Sequence, residues 1–79
     1  MTTRLNLEEI IQPAAQQFGA RLKARRKELG LTQTDIFKRT DITVSYLSTI
    51  ERGRANPSLD LIVKLAAAVD MDIWDMFRS

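Results

Sequence analysis

Apolar residues along this chain recur three and four positions apart, and no stretch alternates strictly, so the pattern predicts helices from end to end. Ala14, Phe18, Leu22 and Leu29 fall on one helical face, Pro13 suits the first turn of that helix, and Gly30 closes it. Residues 5–12 read either as a separate helical turn or as a mobile stretch. Thr32 is the expected cap of a second helix, with Asp35 completing a capping box and Ile36 and Phe37 on the buried side. Thr43 caps a third helix that runs to about Arg52 and turns Leu47 and Ile50 toward the core. Ser58 caps a fourth, where Leu61, Ile62, Leu65, Ala66 and Val69 make one apolar face. Asp72 caps a short fifth helix that holds Ile73, Trp74, Met76 and Phe77. The expected fold class is all-α, a compact five-helix bundle, with residues 1–17 as an N-terminal extension and residues 18–79 as the domain.

Composition narrows the chemistry. A chain of 79 residues makes one domain of nearly marginal size, and 44% apolar residues are ample for its core. Cysteine and histidine are both absent, which excludes disulfides, thiolate or imidazole metal sites and the usual nucleophile–base pairs. No catalytic residue, metal or cofactor is therefore expected, and an enzyme is the weakest reading. The longest apolar run, Leu65 to Val69, is far too short to span a bilayer, and Glu8 and Glu9 interrupt any signal-like N-terminus. A cytoplasmic protein with no membrane partner is expected.

Charge divides the chain in two. Residues 18–56 hold nine basic and four acidic side chains, a net +5, whereas residues 57–79 hold two basic and four acidic, a net −2. Such a division suggests one side that faces a polyanion and another that faces elsewhere. The third helix sharpens that suggestion. Ser45, Ser48, Thr49 and Arg52 lie at i, i+3, i+4 and i+7, on the side opposite Leu47 and Ile50, with Val44 and Tyr46 flanking them. Short hydroxyl side chains let a helix approach the floor of the DNA major groove, where they can donate to or accept from base edges. Val44 or the Thr49 methyl can touch a thymine methyl there. An ordinary solvated helix face has the same composition; the capped Thr32-Gln33 start, the tight turn and the arginines around Gly53 weigh against it.

The segments RLKARRKELGLTQ (Arg21 to Gln33), ITVSYLSTIERGRANPSL (Ile42 to Leu59) and LAAAVDMD (Leu65 to Asp72) resemble the helix-turn-helix family of phage repressors and Cro, the xenobiotic-response-element type. The likeness spans roughly Phe18 to Phe77, and Ser45-Tyr46-Leu47-Ser48 is most similar to the recognition helix of restriction–modification controller proteins. The resemblance implies a lambda-repressor-like DNA-binding domain that reads double-stranded DNA. It implies base reading by Val44, Ser45, Ser48 and Thr49. It assigns contacts to the DNA backbone to Gln33, Tyr46, Arg52, Arg54 and Asn56. Arg26 and Glu51 match a pair that forms a structural salt bridge between first and third helices in the family. Two positions depart from the family pattern: Asp41 stands where the turn usually has glycine, and Phe37 where the second helix usually has alanine.

One such domain reads only a few base pairs, so a homodimer on a palindromic operator is the expected regulator. The alternative is an interaction module of the antitoxin kind, whose main partner is a protein. The fifth helix carries more apolar surface than one face can bury, and Ile73, Trp74 and Leu59 are the candidates for a dimer interface. Internal packing of the whole set, or a clasp by residues 5–11, are the rivals.

Overall fold

Side chains that satisfy free backbone groups mark the starts of four helices in the computed structural model, which describes residues 7–78, with 7–12 as backbone only. Five helices follow in order: α1 Leu7–Glu28, α2 Gln33–Thr40, α3 Val44–Glu51, α4 Leu59–Ala68 and α5 Ile73–Met76, with no strand among the described residues. At α2, Thr32 Oγ1 accepts from the Asp35 N–H at 3.1 Å, and the Asp35 carboxylate accepts from the Thr32 N–H at 2.8 Å. The second bond holds the Asp35 carboxyl below the ordinary aspartate range. Thr43, Ser58 and Asp72 cap α3, α4 and α5 through their side-chain oxygens. Each such cap stabilises its helix by about 1 kcal/mol. Asp41 ends α2 in the left-handed conformation at φ 63°, which a short polar side chain tolerates.

α1 begins earlier than the start near Pro13 that the sequence predicts. It runs unbroken from Leu7, with Pro13 inside it and forgoing one intrahelical hydrogen bond. Leu, Glu, Ile and Gln before the proline are adequate helix formers, which is why the turn need not separate. Residues 5 and 6, and every side chain of the proposed 5–11 clasp, lie outside the described residues.

The core gathers Phe18 and Leu22 of α1, Ile36 of α2, Ile42 of the turn that follows it, Leu47 and Ile50 of α3, Leu65, Ala66 and Val69 around α4, and Met76 of α5. Phe77 stacks on Phe18 with ring centroids 5.6 Å apart. Three expected core positions face outward instead: Ala14, Leu29 and Phe37, the last 41% exposed. On α2 the inner face is Ile36 and Thr40, one turn apart, and Phe37 sits about 100° round from Ile36. Thr40 is satisfied in the core, because its hydroxyl donates to the Ile36 carbonyl at 2.7 Å and accepts from the Ile42 N–H at 3.1 Å.

α1 crosses the end of α3 at backbone contact. A Cβ added at Gly19 would overlap the carbonyl oxygen of Ile50 and lie 3.1 Å from that of Glu51. Just beyond α3, Gly53 adopts φ +73°, and a Cβ there would come 2.8 Å from the Cα of Gln16 on α1. Two glycines thus let the first helix and the end of the third touch without side chains between them. Gly19→Ala is expected to cost about 1–3 kcal/mol through overpacking, whereas Ala20→Gly on the exposed side costs only about 1 kcal/mol in helix propensity. Thermal unfolding of both variants checks this, and a Gly19→Ala protein as stable as wild type would count against the close contact.

Candidate nucleic-acid interface

α3 is anchored on one side and open on the other. Leu47, Ile50 and Glu51 are buried, while Val44, Ser45 and Tyr46 are exposed and Ser48 and Thr49 half-exposed. The four residues expected to read bases thus share the solvent side of one short helix, with Tyr46 at its edge. Arg52, Arg54 and Asn56 follow as exposed residues of the connection to α4. The Thr49 hydroxyl donates to the Ser45 carbonyl at 3.1 Å, leaving its methyl and oxygen lone pairs as outward features. Thr43 accepts from the Tyr46 N–H at 3.1 Å and fixes the N-terminal turn that carries Val44 and Ser45.

The Arg26–Glu51 pair forms as the resemblance implies. Arg26 Nε donates to Glu51 Oε2 at 2.7 Å and Nη2 to Oε1 at 2.9 Å, a two-pronged contact with both side chains almost sealed at 10% and 3% exposure. The Glu51 carboxylate raises the Arg26 pKa above its already high ordinary value. Arg26 Nη1 also donates to the Leu31 carbonyl at 2.9 Å, tying the turn between α1 and α2 to the same group. Gln33 joins them: its Nε2 donates to Glu51 Oε1 at 3.2 Å. The family resemblance assigns Gln33 to a phosphate; the bond to Glu51 gives it a further role within the fold that no local sequence pattern signals. The amide keeps a second N–H.

Other basic residues are occupied within the fold. Arg25 donates to the carbonyls of Val69 and Asp70, Arg39 to that of Ala68, and Arg21 to that of Arg78. No sequence pattern signals these long-range partners. For Gly19 a faint sign existed, since an isolated glycine inside a helix usually has a packing reason. Lys23, Lys27, Lys38, Arg52 and Arg54 are exposed and make no ion pair among the described residues. No helix among the described residues is long and apolar enough to cross a membrane.

Comparison with known proteins agrees with this geometry. The helix-turn-helix family profile matches residues 22–73. The chain is 43% identical over 59 residues to the HTH-type transcriptional regulator DdrOP3 of Deinococcus deserti, covering 75% of this chain and 46% of that protein. It is 42% identical over 55 residues to the immunity repressor protein of Bacillus phage phi105, covering 70% of this chain and 38% of that one. The chain therefore spans less than half the length of these two relatives. Among solved structures, the restriction-modification controller protein C.AhdI from Aeromonas hydrophila superposes with a TM-score of 0.75 at 36% identity, over 80% of this chain and 96% of that one.

Glu51→Gln should strip Arg26 of its charged partner in a nearly dry site. A destabilisation of about 3–5 kcal/mol is expected for a buried pair broken on one side. Chemical denaturation measures it, and an unchanged midpoint would show that the pair contributes nothing to holding α3.

Proposed function

The chain belongs to the helix-turn-helix family, and we propose that it is a sequence-specific, double-stranded DNA-binding transcriptional regulator that acts in the cytoplasm as a homodimer on a palindromic operator. The observation that carries this reading is the outward stripe of Val44, Ser45, Ser48 and Thr49 on a helix whose inner side is locked by Leu47, Ile50 and Glu51. Small outward groups allow groove entry, and a rigid seat fixes which base edge each one meets. Arg52, Arg54 and Asn56 then grip the sugar-phosphate chain at the end of α3, with Tyr46 beside it. Gln33 offers a phosphate its remaining amide N–H at the start of α2, next to the unpaired backbone N–H groups of that turn. The names of the relatives and of the superposed controller protein support the same assignment.

The homodimer reading draws on exposed apolar groups. Leu59 is 69% and Trp74 76% exposed, and Val63 follows Leu59 one turn on along the exposed side of α4. Ile73, half-buried beside Trp74, contributes its outer edge. Water-exposed tryptophan and leucine on adjoining helices favour a self-complementary contact with a second copy of the chain. Two copies also read two half-sites, which supplies the specificity that a single short reading helix lacks in a genome.

Two expectations test the two halves of this reading. Arg52→Ala should weaken binding to all sequences and reduce the salt dependence by about one phosphate contact. Ser45→Ala or Thr49→Ala should instead change preference at one or two base pairs, worth about 1–3 kcal/mol of discrimination. Binding titrations against an operator-variant panel separate them, and Ser45 and Thr49 variants with wild-type preferences would refute the groove assignment. Trp74→Ser should raise the dimer dissociation constant and weaken operator binding at unchanged helicity. Analytical sedimentation reads that out; equal dimerisation of the variant and wild type would move the interface elsewhere.

A further inference from the structure

The C-terminal end of α4 is held by two arginines from two other helices. Asp70 turns the chain at φ 52°, the Met71 N–H donates to the Ala66 carbonyl at 2.9 Å, and the Asp70 N–H donates to that of Ala67 at 3.0 Å. This closure is a Schellman motif, and it satisfies the carbonyls of Ala66 and Ala67 while those of Ala68, Val69 and Asp70 point onward. Arg39 of α2 donates through Nη1 to Ala68 at 2.8 Å. Arg25 of α1 donates through Nε to Val69 at 3.1 Å and through Nη2 to Asp70 at 3.3 Å. Both cations also sit at the negative end of the α4 dipole.

These bonds join the two working parts of the molecule. α1 and α2 hold α3 through Arg26, Gln33 and Glu51, whereas α4 and α5 carry Leu59 and Trp74. In a two-fold dimer, the distance between the two reading helices depends on the interface and on the angle that α4 makes with the α1–α3 unit inside each subunit. At the α4 C-terminus Arg25 and Arg39 bridge the two parts with hydrogen bonds. Aliphatic contacts elsewhere along α4 resist separation, but they tolerate small rotations better than three directional hydrogen bonds do.

We propose that Arg25 and Arg39 are positioning residues that set the half-site spacing the dimer accepts, and that they are not phosphate contacts. The proposal rests on the homodimer reading above. It accounts for two cations of the basic middle segment that are turned toward carbonyl oxygens of the acidic C-terminal segment.

The test compares wild type with an Arg25→Gln, Arg39→Gln double variant on DNA duplexes whose two half-sites are stepped apart one base pair at a time. Wild type should prefer one spacing. The double variant, which removes all three bonds, should lose at least about tenfold of that preference, the factor that a single hydrogen bond to a charged group corresponds to. Its dimer dissociation constant, single half-site affinity and salt slope should match wild type, and Arg39→Lys should keep more of the preference than Arg39→Gln. Circular dichroism checks the fold; if the double variant melts, the Arg39→Gln and Arg39→Lys pair carries the same comparison. An unchanged spacing preference in a folded, dimeric variant overturns the proposal. So does a salt slope that falls by about two contacts, which would make both arginines phosphate ligands. Sedimentation of wild type as a monomer would remove the homodimer reading itself, a failure visible before any spacing is compared.

Discussion

Glu51 carries a carboxylate that accepts from Arg26 on α1 and Gln33 on α2 while riding on the last turn of α3. A negative charge so nearly removed from water is costly unless its lone pairs are filled, and here three N–H groups from two other helices fill them. The result is a point where all three N-terminal helices must meet in one arrangement. Hydrophobic packing alone specifies such arrangements loosely, since Leu47 and Ile50 lose little when a short helix rolls a few degrees. Directional bonds to a buried charge do not permit the roll. Gly19 completes the constraint from the other side, because α1 presses on the carbonyls of Ile50 and Glu51 with no side chain intervening.

Much of the fold was legible because helix ends are written locally. Thr32 with Asp35, Thr43, Ser58 and Asp72 each sit beside the N–H they satisfy, so a few consecutive residues suffice to find them. The outward stripe on α3 was legible for the same reason, since helical periodicity alone separates it from Leu47 and Ile50. Periodicity placed both Ile36 and Phe37 on the buried side of α2, whereas only Ile36 turns inward. The two are equally apolar, and the inward face of α2 pairs Ile36 with Thr40 one turn beyond it, a polar residue that hydrophobic periodicity does not count. The continuity of α1 through Pro13 was likewise not evident, because a proline signals a helix start more often than an interior position. Partners across tens of residues were the least legible. Gln33 reaching Glu51, and Arg25 and Arg39 reaching the end of α4, depend on the finished packing.

The basic segment therefore divides by role more finely than its net charge suggests. Arg21, Arg25, Arg26 and Arg39 all donate to other groups of the chain, and the exposed cations of this segment with no such bond among the described residues are Lys23, Lys27, Lys38, Arg52 and Arg54. Arginine suits the internal tasks because its planar fork meets several oxygens at once, whereas lysine keeps its charge hydrated at the surface. Long-range attraction to a polyanion sums over every charge, internal or not. In the proposed DNA-binding role, close contact falls to those whose donors stay free of such bonds.

The backbone contact at Gly19 has a consequence for how such a domain can diversify. The seat of α3 is made from its carbonyl oxygens, its inner leucine and isoleucine, and its final glutamate. None of these groups belongs to the side chains at 44, 45, 48 and 49. Replacements at those four positions spare these groups, much as a key blank accepts new teeth while its bow and shoulder stay the same. Novelty is cheap on the displayed edge of this helix and nearly forbidden on the concealed one, so variation among molecules of this build should concentrate in a strip only a few ångströms wide.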